Sequence, residues 1–294
     1  MSTGVEMTLT THRRVRPRAA SGWWQLWASA QVRWGVILLV AMTALVVIGP
    51  FLAPYDPAAP VGKPYAAPSA VAWLGTDNLG RDVLSRVLAG GVYLAWMAPV
   101  SALLSVVTGA AIALVTAYYR GWTDLVLKRS LDVLLAFPGV LLTLLCVSVF
   151  GPRPVLLVGL VVLTLMPGVA RVIRGAALPL LDREYVLWAK AVGTPGPVII
   201  LRELLPNVSS PLLVELGLRL SWSVGILSSM SFIGYGIQPP AADWGLMVSE
   251  NGTGLGTQPF AVLAPIAMII LYTIGGGLIA EGAARVMART EGKA

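Results

Sequence analysis

Glu215 and Arg219 are the residues whose types and spacing most suggest chemistry. They lie four positions apart, Glu first, inside a stretch that is otherwise apolar. That order favours an intrahelical ion pair, and ionisable groups in apolar helices are either paired or functional. The pair therefore reads as a salt bridge, with a proton-coupled transport site as the alternative. Other chemistry is scarce. One histidine, His12, and one cysteine, Cys146, leave no Cys/His zinc site, no disulfide framework and no Cys–His nucleophile pair. The run Gly252-Thr-Gly-Leu-Gly256 has no strand before it, and the Gly75 to Gly80 loop lacks the Lys-Ser/Thr ending of a phosphate-binding loop. The chain thus shows no catalytic residues, no metal ligands and no cofactor motif, and an intramembrane enzyme would need paired catalytic groups that are absent.

The elements that position Glu215 and Arg219 follow from composition. With 56% hydrophobic residues, 12% charged and a mean hydropathy of +0.78, the 294 residues are too apolar for a soluble domain. The expected fold is all-α and polytopic. Six membrane helices are predicted, at about 34–53, 92–118, 131–150, 155–173, 211–233 and 259–280, preceded by a basic tail over 1–33 and followed by a short tail over 286–294. The tail carries Arg13, Arg14, Arg16 and Arg18 ahead of Trp23, Trp24 and Trp27, an interfacial aromatic belt, and the first span reads as an uncleaved anchor. Pro99 and Pro138 are expected to kink their spans. Ser221, Gly225, Ser228 and Ser229 recur at helical spacing and give the fifth span a small, weakly polar face. Close helix packing and a hydrophilic pathway both fit it. Gly275-Gly276-Gly277 in the sixth span reads as close packing or a flexible point.

Two connections carry structure of their own. Asp182 to Asn207 is the longest charged break. It reads as a short helix from about Glu184 to Val192, a break at Gly193, a restart marked by Pro195 and Pro197, and an end at Pro206. Trp73 to Gly90 reads as a solvated amphipathic connector lying on the membrane surface, with Asp77 or Asn78 capping a helix through Arg81, Asp82 and Arg86. Lys and Arg are distributed unevenly: sixteen fall in the N-terminal tail, the 119–130 linker, the 171–207 region and the stretch after the sixth span, against four in the alternate connections. The positive-inside rule places both termini and the 182–207 stretch in the cytoplasm, and Trp73–Gly90 and Gly234–Gln258 outside. The net charge of +7 is thus a topology signal and implies no nucleic-acid partner.

Glu184-Tyr185-Val186, Ala189-Lys190-Ala191, Gly193 and Leu204-Leu205-Pro206-Asn207 resemble the EAA loop of binding-protein-dependent ABC importer permeases. Trp73-Leu-Gly-Thr-Asp77 with Gly80-Arg-Asp-Val-Leu-Ser-Arg86 is similar to the matching segment of the dipeptide/oligopeptide/nickel permease family, in its DppC or OppC type of subunit. Ala53-Pro-Tyr-Asp-Pro57, Leu131-Asp132, Ala136-Phe137-Pro138, Ser231-Phe-Ile-Gly234, Gln238-Pro-Pro240 and Asp243-Trp-Gly245 agree, so the resemblance covers about 34–285.

The resemblance implies a type I importer permease fold and a half-channel in the prokaryotic plasma membrane. The partners would be a homologous second permease, two ABC ATPase subunits, an extracytoplasmic solute-binding protein and membrane lipid. Glu184, Tyr185, Ala189, Gly193, Leu205 and Pro206 would form the ATPase-docking element. Asp77, Arg81, Asp82, Gln238, Asp243 and Trp244 would face the binding protein, and Ser221, Gly225, Ser228 and Ser229 the pathway. Trp188, Glu203, Pro195 and Pro197 depart from the usual loop pattern. Di- or oligopeptides are the expected substrates, with a nickel chelate as the alternative. An ion-coupled secondary transporter using Glu215 and Arg219 is the competing class, though hydropathy shows no internal repeat.

Overall fold

The computed structural model describes Trp27 and residues 29 to 291, and the cluster Arg13–Arg18 with Trp23 and Trp24 lies outside them. Helices account for nearly all regular structure among the described residues. Pairing of the strand type is confined to two isolated bridges, Pro60 with Arg81 and Thr76 with Asp82.

Helix α1 spans Ala30–Leu52. A long loop leads to α2, Val83–Ala89, and directly to α3, Val92–Tyr118, which carries Pro99 inside it. Then come α4, Trp122–Ala136, and α5, Gly139–Phe150. Gly151 at φ +79° reverses the chain, and Pro154 opens α6, Pro154–Ala177, where a missing N–H costs nothing. The polar connection holds α7, Glu184–Ala191, and α8, Gly196–Ile199. The chain finishes with α9, Ser209–Ile233, α10, Trp244–Asn251, and α11, Phe260–Glu291.

Among the described residues, five helical stretches are long and apolar enough to cross a membrane, and α4 with α5 makes a sixth only as a bent pair. The third span is thus broken rather than kinked, with an 83° bend at Phe137–Pro138. Pro138 has no N–H to continue the helix and pushes Phe137 into an extended conformation, ψ 129°. The twelve residues of α5 reach only about 18 Å, short of the roughly 30 Å hydrocarbon core. Much of the 119–130 linker folds into α4.

The bundle is built on α3 against α6, with α9 packed on α3, α11 on α9 and α1 on α11; α4 lies against both α6 and α3, and α5 mainly along α6. Small residues permit these approaches, as expected where lipid supplies no hydrophobic drive between helices. A Cβ on Gly217 would come within 2.9 Å of Ala280, and one on Gly275 within 2.7 Å of Leu39. The glycine run of the sixth span is therefore a packing seam. Two apolar clusters fill the bundle, one toward each end. The first joins Met42, Val87, Leu94, Met97, Leu157, Met230, Trp244 and Tyr272. The second joins α3 and α6 to the 183–208 connection.

Candidate functional site

The 183–208 connection is held to the bundle by one face of α7. Val186 and Ala189 point inward and pack in one cluster with Ile199, Ile200, Leu204 and Val208, together with Ala113 and Ala117 of α3 and Ile173 and Ala177 of α6. Glu184 supplies the acidic charge that the N-terminal end of a helix dipole favours. The helix ends in a Schellman motif: Thr194 N–H donates to Ala189 O at 3.0 Å and Gly193 N–H to Lys190 O at 3.1 Å. Gly193 sits at φ +77° with open space around its Cα, so conformation rather than room requires glycine there. Gly196 then passes so close to α3 that a Cβ would lie 2.7 Å from Tyr118 and 2.8 Å from the Tyr119 hydroxyl. Lys190 Nζ lies 5.4 Å from the centre of the Tyr118 ring, a cation–π contact.

The stretch does not end at Pro206. A π-type turn over Ile200–Leu204 absorbs the missing proline N–H, with Leu205 N–H reaching back to Ile200 O, and a further turn, Leu205–Asn207, leads into α9. Asn207 Nδ2 donates to Glu203 O at 2.6 Å, satisfying one of the carbonyls near the disrupted ladder.

The outer face of α7 is also apolar. Tyr185, Trp188 and Val192 recur at i, i+3 and i+7 and are exposed, Trp188 at 69%, with Leu187 and Leu201 exposed nearby. Of the residues expected to dock a partner, Glu184, Tyr185, Gly193 and Pro206 are at the surface, and Leu205 is half-buried. Ala189 is turned inward, and its small side chain serves the packing of α7 on the bundle. Trp188 and Val192 were absent from the expected set, although their spacing with Tyr185 already marked one helical face.

At the opposite end, the 54–90 loop folds onto α10. Helix α2 begins later than its sequence suggests, because Asp82 rather than Asp77 or Asn78 caps it: Asp82 Oδ2 accepts from Ser85 N–H at 2.8 Å and from Ser85 Oγ at 2.6 Å. Asp77 Oδ1 accepts the Leu79 and Arg81 N–H groups, both at 2.9 Å, which holds 77–81 as a turn. The segment is not a solvated connector. All four of Asp77, Arg81, Asp82 and Arg86 are buried: Asp77, Arg81 and Arg86 pair with one another and with Glu250 of α10, and Asp82 is engaged by Ser85. Trp244 Nε1 donates to Val87 O at 2.8 Å, and Asp243 caps α10 by accepting from Leu246 N–H at 3.1 Å. Burial pushes the Asp243 carboxyl above its ordinary value, against the opposing hydrogen bond from Leu246. Further ties are Asn78 N–H to Asn251 Oδ1 at 2.9 Å and Gln258 Nε2 to Leu74 O at 2.6 Å.

Five of the six residues expected to face a binding protein, Asp77, Arg81, Asp82, Asp243 and Trp244, are therefore interior to this cap, and Gln238 alone is exposed. Their mutual complementarity, which sequence spacing does not show, directs them inward.

Within the bundle, both Nε and Nη2 of Arg219 donate to Glu215 Oε2, at 2.8 and 2.6 Å, while the guanidinium lies over Gly168 of α6. The pair is closed on itself within α9, with the guanidinium packed against α6. Ser221 Oγ donates to Thr273 O at 3.0 Å in the α9–α11 seam, and Ser228 is half-buried. Gly225 and Ser229 remain on the exposed face of α9, beside Leu218 and Trp222. Among the described residues no group of three His, Cys, Asp or Glu could hold a metal ion.

A helical bundle with several apolar spans, one connection packed onto it and one folded cap defines a multi-pass membrane protein. Comparison places it further. The family model described as binding-protein-dependent transport system inner membrane component matches residues 105–291. The glutathione transport system permease protein GsiD of Pectobacterium atrosepticum is 34% identical over 215 residues, covering 73% of this chain and 71% of its own length. Proteins of the same name from Shigella dysenteriae serotype 1 and Escherichia coli O6:K15:H31 are 32% and 33% identical over 258 residues, 84% of this chain and 81% of theirs. The chain belongs to this family of inner-membrane permeases of ABC importers, and is of the same type as the DppC and OppC subunits.

Proposed function

We propose that the chain forms half of the translocation pathway of an ATP-driven, binding-protein-dependent importer of small peptides and couples to partner ATPases through the 182–207 loop. The observation that carries the coupling role is the double-faced helix α7. Val186 and Ala189 weld it to α3 and α6, while Tyr185, Trp188 and Val192 offer an apolar face to a partner. A helix that is rigid toward its own bundle and adhesive outward can convert closure of an ATPase pair into movement of the spans. The distribution of Lys and Arg supports a cytoplasmic position for this loop and an outside position for the cap. ATP hydrolysis belongs to the partner subunits, and this chain supplies no chemistry. ATP binding would draw the loops together and open the bundle outward to a loaded solute-binding protein, and hydrolysis would reset it. A homologous second permease would complete the pathway, with Gly225 and Ser229 on the face of α9 left free for it.

The relatives named for glutathione transport favour a small peptide as the substrate. The closed Glu215–Arg219 pair offers no support to ion-coupled uptake by this chain alone. The test is reconstitution with the second permease, the ATPases and the binding protein, measuring ATPase stimulation by glutathione, di- and oligopeptides and nickel chelates. Stimulation by a peptide is expected; stimulation by nickel chelates alone would remove the substrate reading, and active uptake without any ATPase would remove the class.

A further inference from the structure

Four charged side chains at the cap end close into a ring. Asp77 Oδ2 accepts from Arg81 Nε and from Arg86 Nη1, each at 2.6 Å. Glu250 Oε2, on α10, faces Arg81 Nη2 at 3.0 Å and Arg86 Nη2 at 2.9 Å. Both guanidinium groups are thus held between two carboxylates, one from the 54–90 loop and one from α10. Asn78 adds its side-chain oxygen to Arg81 Nη2 at 3.3 Å and its backbone N–H to Asn251. The side chains of Asp77 and Arg86 are 0% and 1% exposed, and that of Glu250 is 15% exposed.

Such a ring is a poor device for stability, since taking charges out of water offsets most of what pairing returns; registry is the better-attested use of buried ion pairs. Glu250 illustrates this. Desolvation raises its carboxyl above the ordinary value, with Arg81 opposing and Asp77 adding to the rise, so its charged form is held at a cost. What the ring provides is geometry. It fastens the loop to α10, and α10 is in turn jammed against the spans: a Cβ on Gly245 would lie 2.5 Å from Ser228 O of α9, and α10 packs along α11 as well.

We propose that Asp77, Arg81, Arg86 and Glu250 form a clasp that makes the 54–90 loop and α10 one rigid body, through which contact with an extracytoplasmic solute-binding protein is transmitted to α9 and α11. This rests on the importer reading above. The four residues act as positioning residues from inside the cap, while the partner meets the cap's outer surface. Opening the clasp during transport would strand two arginines in a dry site, so the clasp stays shut through the cycle.

The test uses the complete reconstituted complex. In Glu250→Ala, basal ATPase activity and subunit assembly are expected to persist, while stimulation by the loaded binding protein and peptide uptake fall by about tenfold, a usual size for a coupling free energy. A disulfide between cysteines placed at Asn78 and Asn251, in a Cys146→Ser background, is expected to leave transport intact. Combined with Glu250→Ala, it should restore stimulation under oxidation and lose it again on reduction. Full stimulation of Glu250→Ala, or inhibition of the otherwise unaltered protein by the cross-link, would overturn the clasp. Absence of binding-protein stimulation in the unmodified complex would instead remove the importer reading.

Discussion

The two ends of the bundle solve opposite problems. At the cap end, charged and polar side chains are turned inward and consumed by one another, leaving a plate whose parts cannot shift separately. At the loop end, aliphatic packing does the fastening, and an aromatic face remains turned outward. Directional contacts fix the angles of a surface that must hold its shape, whereas non-directional packing on one side of a short helix leaves its other side free to bind. The charges of the cap are accordingly spent on one another, while the apolar face of α7 is left open.

Breaking the cap at its deepest member should have the largest effect. Asp77→Ala leaves Arg81 and Arg86 buried without their shared carboxylate, a loss of about 3–5 kcal/mol. Thermal unfolding of the solubilised chain is expected to shift down clearly, and an unchanged midpoint would show that the ring is not a folding element at all. At the loop end the effect should appear in binding rather than in folding. Trp188→Ala is expected to weaken ATPase association by about 2 kcal/mol, roughly thirtyfold, as for a central aromatic anchor, with no change in unfolding. Pull-down titration against purified ATPase separates the two readouts.

Gly193 tests whether the loop end depends on one backbone angle. Valine at φ +77° should cost about 1–3 kcal/mol locally and uncouple hydrolysis from uptake, while asparagine, which tolerates that conformation, should retain coupling. Equal activity of the two variants would mean that the Schellman turn is not needed.

The smallest expected effect is that of pH on the cap. Because burial holds the Glu250 carboxyl above its ordinary value of 4.5, the folded chain binds that proton more readily than the unfolded chain. This group therefore adds stability on the acid side, and that contribution is lost as pH rises from the ordinary value through the raised one. Asp243 has the same sign. Acidification through that window should loosen coupling without loosening the fold, and Glu250→Gln should flatten its part of the dependence. Limited proteolysis of the 54–90 loop, followed beside ATPase stimulation across pH, would show whether the two properties separate.

The class of fold was legible in the sequence because apolar runs of span length and their proline and glycine boundaries are local signals. The α7 helix and its stop at Gly193 were legible for the same reason. The 83° break at Pro138 was underestimated as a kink, because the proline's local effect is certain while the angle depends on how α4 and α5 each lie along α6. The continuation past Pro206 was missed because a π-type turn can absorb a proline when the flanking helix is otherwise anchored.

The sequence by itself determined which stretches are apolar enough for membrane, where the charges fall, and which glycines and prolines interrupt the helices, since each depends only on a residue and its near neighbours. Only the tertiary structure decided that Asp77, Arg81 and Arg86 would find Glu250 some 170 positions away and turn from surface into interior. It also decided that Ala189 would face the bundle while Trp188 would face out. The orientation of a polar or aromatic side chain is settled by what lies across from it, and that is fixed by packing between segments distant in the chain.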